Sequence, residues 1–116
     1  MKTTLSVLVA EAIGTFFLCF AGIAAILCTV PPISAGGGLV AVALAHGLAL
    51  SIAVNNFGGI SGAHFNPAVT AAMLVTRRIA APLAALYIVA QLAGASIAAY
   101  LPLCVSTREW LDKGKR

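Results

Sequence analysis

The sequence predicts an all-α membrane protein with three spanning helices and one half-helix that enters the membrane and turns back. Three observations carry that reading. The 116 residues are 61% hydrophobic and only 9% charged, with a mean hydropathy of +1.05, where a soluble domain carries about 25% charged residues. The positive charges sit at the two ends and in one short loop, a pattern that marks topology and not a nucleic-acid surface. The run Ser61-Gly62-Ala63-His64-Phe65-Asn66-Pro67-Ala68-Val69-Thr70 then interrupts long apolar stretches with polar and helix-breaking residues. In hydrocarbon, non-helical backbone is tolerated only where it is buried in protein or lines a wet cavity. The chain therefore dips into the membrane here and faces water.

Each element follows in order. Span one covers about residues 5–30 and is stopped by Pro31-Pro32, with Gly36-Gly37-Gly38 as a turn. Its apolar run after Lys2 exceeds a signal-peptide core and lacks a clear small-residue cleavage site, so it reads as a retained helix. Span two covers about 39–57, and Gly58-Gly59 begin a re-entrant segment over 58–78. Within it, Asn66 is a favoured N-cap and Pro67 suits the first helical position, where a missing N–H is no loss. A helix from Asn66 to Thr76 is roughly 16 Å long, about half a bilayer core. Arg77-Arg78 stop it at a charged surface. Its N-terminus aims about half a positive charge at the membrane centre. The Asn66 amide oxygen can cap a backbone N–H and leave the NH₂ group free as a donor. Span three runs from Pro82 to about residue 105, closing one unit over 1–105, and 106–116 is a polar tail expected to be partly disordered. Ala90, Gly94 and Ala98 recur at four-residue spacing, as do Ala10 with Gly14 and Ala21 with Ala25; such rows allow close helix packing in membranes.

The Asn66-Pro67-Ala68 box preceded by Ser-Gly-Ala-His resembles the first signature box of the aquaporin, or major intrinsic protein, family. Three further motifs are similar to those of the family's first three helices: Ala10-Glu11-Ala12-Ile13-Gly14-Thr15, Val42-Ala43-Leu44-Ala45-His46-Gly47-Leu48 and Tyr87-Ile88-Val89-Ala90-Gln91-Leu92-Ala93-Gly94. Their order and spacing match the N-terminal half of the family from about residue 5 to 103. The resemblance implies an aquaporin-like half: a passive channel for water, and for small neutral solutes such as ammonia, urea or glycerol.

It also implies roles. Glu11, the only carboxylate within a span, needs a buried partner because a membrane carboxylate is costly. The family folds a donor-rich loop beside it, which makes Glu11 a structural anchor, with Gln91 bonded to the loop or to the same network. A rival reading is a proton-coupled carboxylate, as in the small multidrug resistance family of similar length; that family has four spans and no Asn-Pro-Ala box. Asn66, Pro67 and Ala68 would face the pore. Gly62, Ala63, His64 and Phe65 would line it with main-chain oxygens, the His64 side chain bracing the loop. Gly59 departs from the polar residue often found at its position, which implies a looser neck. His46 matches a residue of the narrow outer constriction, commonly phenylalanine; histidine there resembles the plant tonoplast branch and some bacterial members. Leu18 and Leu50 fall on the same faces as Glu11 and His46 and would form apolar wall.

The resemblance covers one half, and one half-helix cannot enclose a pore. Inverted repeats bring two half-helix N-termini together at the midplane. The expected partners are therefore the lipid bilayer and either a complementary C-terminal half or an antiparallel copy, with a tetramer of pores by resemblance. The family places the N-terminus in the cytoplasm, leaving Lys2, Arg77 and Arg78 inside and Arg108, Lys113, Lys115 and Arg116 outside. Three against four is almost no bias, which suits either dual topology or a split or truncated half; the fragment is the favoured expectation. Val69 stands where the second half carries a filter arginine. The expected location is a multi-pass position in a bacterial inner or a plasma membrane. Cys19, Cys28 and Cys104 read as small packing hydrophobes. No hydrolytic or redox constellation, phosphate-cradling glycine loop or metal-ligand spacing is present, so neither an enzyme nor a cofactor is expected.

Overall fold

The computed structural model describes residues 3–29 and 37–113, and side chains among them up to residue 104. These residues form four helices: α1 (Thr4–Thr29), α2 (Gly38–Ser61), α3 (Pro67–Val75) and α4 (Ala81–Lys113). Helices α1 and α2 and the Ala81–Cys104 part of α4 are long and apolar enough to cross a membrane. Each exceeds the roughly 30 Å hydrocarbon thickness at 1.5 Å per residue. Helix α3, with nine residues, is only about 13 Å long and cannot. The fold is thus the all-α, aquaporin-like arrangement of three spans and a half-helix. The Pro31-Pro32 stop and Gly36 lie outside the described residues; Gly37 and Gly38, both at positive φ, lead into α2.

Helix α1 packs against both α2 and α4, and α3 lies on α4. The α1–α4 approach depends on small residues. A Cβ at Gly94 would collide with the carbonyl oxygen of Ala12, so only glycine permits this separation. Ala10, Ala84 and Ala98 are buried along the interior faces. The outer faces carry exposed Leu5, Leu44, Val89 and Ile97, a surface suited to lipid tails.

Two boundaries differ from the sequence expectation. Helix α2 does not end at Phe57 but continues through Gly58-Gly59 to Ser61. Glycine costs a helix only about 1 kcal/mol relative to alanine, and bonds to both ends of Ser61, described below, hold the last turn. Helix α4 does not end near residue 105 but continues to Lys113, so this part of the tail is ordered helix. After Pro102 no glycine or proline occurs before Gly114, and extending a helix is far easier than nucleating one. Nor do all three cysteines fill the core: Cys19 is half-buried, while Cys28 and Cys104 are exposed, and all are free thiols.

Candidate pore segment and its anchor

The loop between α2 and α3 has an unusual backbone. Gly62 (φ 88°), Ala63 (φ 53°) and Phe65 (φ 50°) all occupy the left-handed region. For the two non-glycine residues that conformation costs roughly 1–2 kcal/mol each, so surrounding bonds must impose it. They come from Glu11, on the buried face of α1 beside Ala10, Gly14 and Thr15. Its Oε1 accepts the Ser61 hydroxyl (2.6 Å) and the His64 N–H (3.0 Å). Its Oε2 accepts the Phe65 N–H (2.7 Å) and a Gln91 Nε2–H (2.8 Å). Four donors and no acceptor meet a fully buried carboxylate, the arrangement a buried anion requires.

The Ala63 N–H is also drawn inward, donating to Ser61 Oγ (3.1 Å). With these N–H groups turned into the protein, the carbonyls of Gly62, Ala63, His64 and Phe65 accept no hydrogen bond from the described residues. The Phe65 ring is buried in a notch that Gly14 leaves in α1, edge-on to Phe57 of α2 at 6.2 Å. The Tyr87 hydroxyl donates to the Ser61 carbonyl (2.7 Å), closing the end of α2, and its ring meets His64 edge-on at 5.2 Å.

A second tier links the anchor to α3. Gln91 Nε2 donates also to Thr70 Oγ1 (2.9 Å), and Thr70 Oγ1 lies 3.1 Å from His64 Nδ1. The Thr70 hydroxyl has no other acceptor among the described residues, so its proton is assigned to His64 Nδ1. His64 is thereby assigned the tautomer protonated at Nε2. Gln91 is fully buried, and its Oε1 has no partner among the described residues.

Helix α3 begins where Asn66 ends the loop. Asn66 is extended (φ −152°, ψ 128°), its Oδ1 accepts the Ala68 N–H at 2.8 Å, and Pro67 follows at N1. The Asn66 Nδ2 group donates to none of the described residues, and Asn66 is exposed. At the far end Arg77 takes the left-handed position (φ 58°) and donates its N–H to the Leu74 carbonyl, while the Arg78 N–H bonds the Met73 carbonyl. This is a Schellman closure with arginine where glycine is usual.

The structure brings Glu11, His64, Phe65 and Gln91 into one cluster and adds Ser61, Thr70 and Tyr87, to which sequence reasoning assigned no role. Their signal was polarity: Thr70 is a lone hydroxyl inside an apolar nine-residue helix. His46 stands outside the cluster. Its Nδ1 lies 2.9 Å from the Val42 carbonyl, and its ring rests over Gly22 of α1. Leu50, Ala68 and Val69 are exposed, and Pro67 and Leu18 half-buried. Among the described residues no group of three or more His, Cys, Asp or Glu could hold a metal ion.

The sequence pattern described as "Major intrinsic protein" matches residues 1–114. The chain belongs to the major intrinsic protein family. It is similar to glycerol uptake facilitator protein-like 6 of Lactiplantibacillus plantarum, with 51% identity over 89 residues, covering 77% of this chain and 38% of that protein. It is also similar to aquaporin TIP4-4 of Zea mays (43% identity; 79% of this chain, 38% of the relative). Aquaporin Z of Bradyrhizobium diazoefficiens gives 44% identity over the same two shares, 79% and 38%. The chain thus spans about two-fifths of the length of these curated relatives. As a member of the major intrinsic protein family it is an integral membrane protein, and the family is one of channels.

Proposed function

We propose that this chain is one half of a passive channel for water and small neutral solutes, completed by an inverted second half. The observation that carries the reading is the Asn66 cap. A short helix starts at a residue whose amide oxygen is occupied and whose NH₂ group meets no acceptor among the described residues. It follows a loop whose four carbonyls are likewise unused. Facing a lumen, those carbonyls replace part of a solute's hydration, and the Asn66 donor orients its oxygen. Two opposed half-helix N-termini add positive potential at the midplane, which disfavours cations and breaks the oriented water chain that protons follow. Asn66, Pro67, Ala68, His46 and Val69, with Leu18 and Leu50 as apolar wall, line this pore.

Glu11 and Gln91 act as its anchor. Full burial and four donors support an anchoring carboxylate over one that loads protons from solution. The relatives' names, a glycerol uptake facilitator and aquaporins, support water and glycerol as permeants; ammonia and urea belong to the same neutral class. The second half is a separate C-terminal piece or an antiparallel copy, and assembled pores cluster as tetramers in a bacterial inner or plasma membrane. The test is reconstitution into liposomes with osmotic-shock light scattering, alone and with a C-terminal half from a relative. Raised water permeability with little ionic current is expected in at least one arm. No rise in either arm overturns the channel reading and leaves a non-functional fragment.

A further inference from the structure

Three helical glycines sit where no side chain fits, and they differ in what blocks it. At Gly94 the obstacle is the Ala12 backbone, and at Gly14 it is the Phe65 ring, held fast in the interior. At Gly22, buried on α1, it is the far end of the His46 imidazole: Nε2 first, then Cε1 and Cδ2. The imidazole tip is therefore lodged in a notch that exists only because α1 has no Cβ there. The other ring nitrogen is held as well. The Val42 carbonyl 2.9 Å from Nδ1 can only accept, so Nδ1 carries a proton and Nε2 is the ring nitrogen lodged in the notch.

We propose that Gly22 is a positioning residue that withdraws His46 from the pore, and so sets the width of the constriction. The proposal rests on the reading of His46 as pore-lining. A methyl group at Gly22 meets a movable side chain, not backbone, so α1 and α2 keep their packing while the ring swings toward its open side. Gly22→Ala therefore narrows the neck without unfolding the chain. Larger neutral solutes slow more than water.

The chain has two histidines, which makes the seat directly visible. In ¹⁵N-histidine spectra of the full chain in lipid nanodiscs, His46 is expected protonated at Nδ1 and His64 at Nε2. Gly22→Ala should move the His46 resonances and leave those of His64 in place. In liposomes where the parent conducts, Gly22→Ala should lower the glycerol-to-water permeability ratio by about fivefold or more. That effect should vanish in a His46→Ala background. Unchanged His46 resonances overturn the inference, and so does a fall in the ratio that persists without His46. If the parent conducts in no preparation, the channel reading and the selectivity role fail together, while the spectra still decide the seat.

Discussion

Replacing Glu11 by glutamine is the sharpest probe of the loop, because it removes one acceptor site without changing size. Turned one way, the new amide orphans the Phe65 N–H even if Gln91 presents its own Oε1 as acceptor; turned the other way, its oxygen keeps the Phe65 N–H and Gln91 Nε2 bonds. The NH₂ group then faces Ser61 Oγ and the His64 N–H. The serine hydroxyl can rotate and accept. The His64 N–H cannot, and it becomes an orphaned donor in a buried site. Losing one bond to a charged acceptor and leaving one buried donor unmet costs about 2–4 kcal/mol. Glu11→Ala costs more, because all four donors lose their acceptor and the left-handed residues Ala63 and Phe65 lose their tether. The assay is unfolding of the purified chain in mixed micelles, titrated with a denaturing detergent and read at several pH values. Glu11→Gln within about 0.5 kcal/mol of the parent, the usual range for an inconsequential surface change, would refute the anchoring argument. So would unaltered stability combined with loss of proton-driven substrate uptake.

Four further variants follow from the same geometry and are read first by the same unfolding assay. Thr70→Val keeps the shape but leaves Gln91 Nε2–H and His64 Nδ1 unmet, and should destabilise by about 1–3 kcal/mol. Tyr87→Phe removes only the bond to the Ser61 carbonyl, with a loss of about 1 kcal/mol and faster amide exchange in the last turn of α2. Gly94→Ala forces α1 and α4 apart and should cost about 1–3 kcal/mol or more, whereas Gly47→Ala, with no neighbour, should be neutral or stabilising by up to about 1 kcal/mol.

The parts of the fold legible in the sequence are those whose cause is local. Asn66-Pro67 carries its own cap and its own first-turn residue, so the start of α3 could be read within one residue. The spans follow from apolar length alone. The end of α2 was misplaced because Gly58-Gly59 look like a loop locally, and what prolongs the helix, Glu11 and Tyr87 on Ser61, is 50 and 26 residues away in sequence. Thr70 passed unnoticed for the same reason: its partner Gln91 lies 21 residues on. The left-handed turn at Arg77 was hidden because the expected residue there is glycine. Glu11 drew attention through its type, one carboxylate within three apolar spans, but its four donors could be counted only in three dimensions.

The distances along the chain from Glu11 to its donors also set an order of events during synthesis. Ser61, His64 and Phe65 lie 50, 53 and 54 residues downstream, and Gln91 lies 80. At about 5–20 residues per second, the carboxylate is made roughly 3–10 seconds before the loop and 4–16 seconds before the glutamine. Helix α1 is therefore made before any of the groups that match this acid. The loop then arrives and finds its acceptor, but Tyr87 and Gln91 close the cluster only as α4 follows. In order of synthesis the α1–α2 hairpin is thus a provisional unit, and the half-helix gains its remaining partners, Tyr87 on Ser61 and Gln91 on Thr70, only with α4.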